Sequence, residues 1–135
     1  MIKIILIVVL LTFMITGLMA IKARIGRKGT EEFAALIQQY SSTETEFVLL
    51  EVCTLVEFQQ GHIEGASHLD FYGKGFKAEL CKLQEDLSFL IYCRSGNRSG
   101  QSLRVMQELD FNNVQDLTAG INSWLVIGKR TGEVI

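Results

Sequence analysis

Two short stretches of the chain are apolar almost without interruption. Phe47-Val48-Leu49-Leu50-Glu51-Val52 and Leu87-Ser88-Phe89-Leu90-Ile91-Tyr92 read as strands covered on both faces. Asn113–Leu117 predicts a further short strand, and Ser67–Leu69 a short extended piece. Between them the apolar spacing turns helical. Thr30 to Tyr40 places Phe33, Leu36 and Ile37 on one face, with Thr30 as the expected N-cap and Glu31 and Glu32 at the positive end of the helix dipole. Val56–Gln60, Phe76–Leu83, Ser99–Leu109 and Gly120–Val126 complete the helices, the last carrying Trp124 to pack it onto the sheet. Ser41–Glu46 is a polar connector and Gly61–Ala66 a turn-rich loop. Strands alternating with helices predict an α/β fold with a parallel sheet.

The first residues follow another pattern. Ile4 to Ile21 is an uncharged run of eighteen residues, which as a helix is about 27 Å long, close to the hydrocarbon thickness of a bilayer. The expected organisation is a short N-terminus (1–3), a transmembrane helix (4–21), a basic linker (22–29) and a folded domain (30–135). A cleaved signal peptide, releasing a secreted or periplasmic domain, is the alternative. The run is longer than a signal-peptide core, and Leu18-Met19-Ala20 is not an A-x-A cleavage site. Lys22, Arg24, Arg27 and Lys28 follow the run, while only Lys3 and the terminal amine precede it. The positive-inside rule then puts the domain on the cytoplasmic side.

Charge and composition narrow the function. Hydrophobic residues are 48% and charged residues 21% of the chain, a globular balance that excludes disorder as the main state. The net charge of −2 hides a split of +5 over residues 1–29 and −7 over residues 30–135. An acidic domain excludes nucleic acid as the expected partner. Three cysteines, Cys53, Cys81 and Cys93, are too few for a disulfide scaffold, and no Cys/His cluster has zinc spacing, so no metal is expected.

The candidate chemistry lies after the second buried strand, in Cys93-Arg94-Ser95-Gly96-Asn97-Arg98-Ser99. In an open α/β sheet, ligands bind outside the C-terminal ends of the strands. Small and backbone-tolerant residues there let the loop curl into an anion-binding nest, the following helix adds its N-terminal dipole, and Arg94 and Arg98 add full charge. Each factor favours the thiolate, so Cys93 is expected to be nucleophilic at neutral pH. An isolated cysteine at a strand end is more often inert packing; two arginines and a glycine within five residues argue against that here.

This loop resembles the active-site loop of the rhodanese (sulfurtransferase) domain family. Val48–Val52 is similar to the family's buried strand, Glu57-Phe58 with Gly61-His62-Ile63-Glu64-Gly65-Ala66 to its E-F-x-x-G-H-I-x-G-A signature, and Ala119-Gly120-Ile121 with Trp124 to its G-G-[IM]-x-x-W ending. The resemblance covers about residues 30–128. It implies a central parallel five-stranded sheet flanked by helices. It also implies a sulfurtransferase that takes sulfane sulfur from a thiosulfate-like donor onto Cys93, as a persulfide, and passes it to cyanide, a thiol or a protein acceptor. No cofactor is implied. Arg94 and Arg98 would attract the donor and the loop N–H groups would hold the sulfur. The Cys-x4-Arg span from Cys93 to Arg98 fits this branch rather than related phosphatases with Cys-x5-Arg. A persulfide carrier, or a redox-sensing or interaction module, is the alternative.

Two positions depart from the family pattern. The strand that usually ends Asp-Val-Arg ends Glu51-Val52-Cys53. Glu51 keeps the supporting acid, while Cys53 replaces a base with a second thiol. Cys53 reads first as a small filler and second as a thiol that could resolve an oxidised Cys93, if their Cα atoms come within about 7 Å. His62 reads as part of the turn, Cys81 has no assigned role, and Ala119 replaces the first Gly of the ending.

Overall fold

The computed structural model of the protein describes residues 1–18, 24–128 and 131–132. After α1 (Ile2–Leu18) the order is β1 (Arg24–Lys28), α2 (Thr30–Ser42), β2 (Phe47–Glu51), α3 (Leu55–Gln60), β3 (His62–Ile63), β4 (Ser67–His68), α4 (Phe76–Leu80), β5 (Ser88–Tyr92), α5 (Asn97–Glu108), β6 (Asn113–Leu117), α6 (Gly120–Val126) and β7 (Thr131–Gly132). Five strands form one sheet in the order β1-β6-β5-β2-β4, every pair parallel. This is the expected α/β architecture. A separate antiparallel pair joins β3 to β7.

Alternation along the central strands divides the core in two. Leu50, Val52, Phe89, Ile91 and Val114 pack with Phe76 and Leu80 of α4 and with Leu103 and Met106 of α5. Leu49, Leu90, Tyr92 and Leu117 pack with Phe33 and Tyr40 of α2 and with Ile121 and Trp124 of α6. Each strand residue serves one layer or the other, which is why the runs read as continuously apolar. The chain leaves β2 toward β4 on one side and leaves β5 toward β6 on the other. The C-terminal ends of β2 and β5 therefore flank the topological switch point, the usual place for a ligand crevice.

Three sequence expectations change. Residues 24–28, expected within a basic linker, form β1, paired along its length with β6 from Arg24↔Asn113 to Lys28↔Leu117. An edge strand has one open side and tolerates charge, so its composition hid it. Thr30 is not the N-cap of α2; Gly29 is, and the Thr30 hydroxyl instead meets Ser123 Oγ at 2.6 Å, tying α2 to α6. The run expected to cross a membrane is helical over Ile2–Leu18, and residues 19–21 lie outside the described residues. Among the described residues no helix is long and apolar enough to cross a membrane.

Candidate active site

β5 is buried at every position and delivers Cys93, also fully buried, to the C-terminal rim of the sheet. The loop then reverses at Gly96, which has φ +93° and ψ −3°. A side chain there would overlap the Thr118 carbonyl, so this turn requires glycine. The turn aims the Gly96 N–H at Cys93 Sγ, 3.1 Å away, and the Ser99 hydroxyl faces the same sulfur at 3.5 Å. α5 begins at Asn97 without a side-chain cap, leaving its first-turn N–H groups to the loop. Gly96 and Ser99 thus meet the sulfur, whereas Arg94, Ser95 and Asn97 are exposed. Asn97 Oδ1 accepts from Gln101 Nε2 at 3.3 Å, on the outside of the helix.

The two arginines share a partner to which the sequence reading gave no role. Arg98 makes a two-pronged contact with Glu57, Nη1 to Oε2 at 2.6 Å and Nη2 to Oε1 at 2.8 Å, and Arg94 Nε donates to Oε1 at 3.2 Å. Arg98 holds the Glu57 carboxyl well below the usual carboxylate range, and Glu57 in turn raises the Arg98 guanidinium. Glu57 also accepts from the Thr54 N–H and hydroxyl, closing a capping box at the start of α3. One residue therefore starts the helix and orients both loop arginines. Its signal in the sequence was the Glu57-Phe58 pair of the turn signature. The Arg98 guanidinium also sits 5.8 Å from the centre of the exposed Tyr72 ring. An open cleft of about 230 Å³ lies beside the loop, walled by Glu57, Gly61, Arg94, Ile121 and Leu125.

The loop backbone is held from two further directions. The first N–H groups of α6 cap its carbonyls, Ile121 N–H to Cys93 O at 2.9 Å and Asn122 N–H to Arg94 O at 3.1 Å. Gly120 has φ +66°, and a side chain there would overlap the Arg94 carbonyl. From β1, Arg27 Nη2 donates to the Gly96 carbonyl at 2.7 Å and its Nε to Asp116 Oδ2 at 2.6 Å. Asp116 is fully buried; burial pushes its carboxyl up, opposed by the Ser99 hydroxyl and by Arg27. Neither Arg27 nor Asp116 was singled out from sequence. Arg27 looked like linker charge, and Asp116 lay in a short strand with no chemistry assigned to it.

Glu51 and Cys53 occupy the neighbouring rim. Glu51 is 1% exposed, and burial pushes its carboxyl up, partly offset by the Cys53 thiol, His62, His68 and Tyr92. Glu51 Oε2 has no hydrogen-bond partner among the described residues. Cys53 is fully buried, and burial together with Glu51 drives its thiol far above the usual range. All three cysteines are free. His62 Nδ1 lies 3.0 Å from the Phe58 carbonyl and its ring stacks on Phe58 at 3.9 Å, a structural placement as the turn motif predicts. His68 Nε2 donates to the Cys53 carbonyl at 2.7 Å. Among the described residues no group of three His, Cys, Asp or Glu side chains is arranged to hold a metal ion.

Comparison with known proteins agrees with this arrangement. Residues 30–126 match the rhodanese-like domain family. A sulfurtransferase from Allochromatium vinosum is 30% identical over 90 residues, covering 67% of this chain and 81% of that protein. YrkF of Bacillus subtilis, whose name carries the words sulfur carrier protein, is 26% identical over 87 residues, covering 64% of this chain and 46% of YrkF. The chain spans about a quarter of the length of the adenylyltransferase and sulfurtransferase relatives it matches in Mycobacterium tuberculosis and Scheffersomyces stipitis. The rhodanese-like domain of an Anabaena protein superposes with a TM-score of 0.67 at 20% identity, covering 81% of this chain and 80% of that one, a likeness of fold. With its strand order, its Cys93 loop and the match over residues 30–126, the chain belongs to the rhodanese-like domain family.

Proposed function

We propose that the protein is a sulfurtransferase that carries sulfur as a persulfide on Cys93. The observation that carries this reading is the Gly96 N–H aimed at Cys93 Sγ at 3.1 Å, at the rim where β5 ends. The Cys93 thiolate attacks the outer sulfur of a thiosulfate-like donor. A Cys–S–S bond forms, the donor's S–S bond breaks, and sulfite leaves with the electron pair. Gly96 N–H, the Ser99 hydroxyl and the open first turn of α5 then face the negative outer sulfur. Cyanide or a thiolate attacks that sulfur and expels the Cys93 thiolate. Cys93 is fully buried, and the exposed Arg94–Ser95 part of the loop is the side from which a donor approaches it. Arg94 uses only its Nε on Glu57 and lines the cleft, which suits it to meet an anionic donor first.

The test is intact mass of the full chain, in detergent, after incubation with thiosulfate. A gain of one sulfur on the parent, absent in Cys93→Ser and removed by cyanide, supports the reading; no gain on the parent overturns it. Sulfur gain with very slow cyanide turnover points to the carrier role that the YrkF name suggests. No gain together with oxidant-driven loss of the thiol points to a redox-sensing module.

The same proposal keeps residues 4–21 as a membrane anchor with the domain on the cytoplasmic side. α1 is apolar and its residues 2–10 are exposed, with no charge but Lys3. Of the basic residues after it, Arg27 is committed to Asp116 and Lys28 pairs with Glu32 at 3.5 Å, so Lys22 and Arg24 carry most of the orientation signal. β1, within the stretch read as linker, pairs with β6 in the sheet. Retention in membranes after alkaline washing, with protease access from the cytoplasmic side only, supports the anchor. A shortened chain in the soluble periplasmic or secreted fraction indicates signal cleavage instead.

A further inference from the structure

We infer that Arg27 and Asp116 form a brace that positions the Cys93 loop, with Arg27 setting the peptide whose neighbouring N–H meets the sulfur. The inference deepens the sulfur-transfer reading and rests on it, but its first test does not.

Arg27 grips the loop from outside the motif. Its Nη2 donates to the Gly96 carbonyl at 2.7 Å and lies 3.4 Å from the Thr118 carbonyl, while its Nε holds Asp116 Oδ2 at 2.6 Å. The positions where Gly96 and Gly100 would carry a Cβ lie 3.0 and 3.2 Å from Arg27 Nη2, so the two glycines make room for the guanidinium. Gly96 is the residue whose N–H meets the sulfur, and its left-handed backbone is the one loop conformation that an L side chain resists. Arg27 fixes the peptide that follows it. Asp116 locks Arg27 in place because both lie on paired strands, in register with each other.

Asp116 is fully buried, its Oδ1 has no hydrogen-bond partner among the described residues, and its Oδ2 is held by Arg27. Asp116 therefore acts on the loop through Arg27, as Glu57 acts on it through Arg98. The groups around Cys93 are Arg98 and Ser99 from α5, Arg27 from β1 through Gly96, Asp116 from β6 through Arg27, Glu57 from α3 through Arg98, and Cys53 beyond β2.

The experiment is an ultraviolet thiolate titration of Cys93, taken as parent minus Cys93→Ser in each background of the full chain. Arg27→Gln is expected to move the midpoint up by about one pH unit. Arg27→Gln combined with Asp116→Asn is expected to shift the midpoint no further than Arg27→Gln alone, because Asp116 acts on the loop through Arg27. Arg27→Lys, which keeps the charge but cannot reach Asp116 and Gly96 together, is expected in between and serves if Arg27→Gln does not fold. Sulfur uptake from thiosulfate should lose about tenfold in maximal rate in Arg27→Gln, with the half-saturating concentration within twofold. Equal midpoints in parent, Arg27→Gln and Arg27→Lys overturn the brace, whatever happens to thermal stability. A parent that titrates as expected yet takes no sulfur refutes the sulfur-transfer reading and leaves the brace standing.

Discussion

Cys93 and Cys53 lie at the ends of paired, neighbouring strands, both fully buried, yet their surroundings are opposite. The Cys93 sulfur meets an N–H and a hydroxyl, with Arg98 nearby and its loop gripped by Arg27. The Cys53 sulfur faces the buried carboxyl of Glu51, which works with burial to keep it a thiol. Burial alone disfavours either thiolate. The loop after the strand separates them: β5 runs into a glycine turn and a helix N-terminus, whereas β2 runs into Thr54 and the capping box of α3, whose donors are already taken. Whether a buried sulfur meets hydrogen-bond donors or a carboxyl is in this sense a property of the residues that follow it.

The largest effect that would break the comparison is on chemistry. Cys93→Ser is expected to abolish sulfur uptake, while Cys53→Ser leaves its rate within about twofold. Loss of uptake in both variants would place Cys53 in the reaction. Next comes Gly96→Ala, where a positive φ and an overlap with Thr118 O are expected to cost about 3 kcal/mol and more than about 10 °C in melting temperature. A melting temperature unchanged by this substitution would mean that the turn can re-form without glycine.

Glu57→Gln comes next. It weakens three contacts to the loop arginines and is expected to cost about 1–3 kcal/mol at neutral pH in denaturant unfolding. The Glu57 carboxyl is lowered on folding, so its contribution is present above the ordinary carboxylate range and is lost as pH falls below about 4. The gap between parent and variant should therefore narrow in acid; a gap independent of pH would contradict the ion-pair account. The smallest effect belongs to the Cys53 side. The Glu51 carboxyl is raised on folding, so its contribution is full at low pH and declines as pH rises through the folded value. Glu51→Gln is expected to be neutral or stabilising by about 1 kcal/mol at pH 7, and less so in acid. Marked destabilisation by Glu51→Gln would show that the charged carboxylate is needed there.

Much of this was legible in the residues themselves. β6 and α6 fall on the predicted spans, and β2 and β5 lie within one residue of theirs, because strands covered on both faces and short amphipathic helices leave strong local patterns. The Cys93 loop was legible for the same reason: its glycine, its arginines and the following helix are contiguous. The rest depended on partners far away in the chain. Arg24–Lys28 carries too little apolar character to announce a strand, and becomes one only because β6 offers an open edge. Thr30 could cap its own helix but bonds Ser123 instead. Arg27 and Asp116 are 89 residues apart, and Glu57 stands 41 residues before Arg98. Local sequence therefore determined most of the strands and helices and the loop that follows Cys93. The tertiary structure decided which charges face that sulfur, because Coulomb and hydrogen-bond energies depend on distance in space and are silent in sequence order.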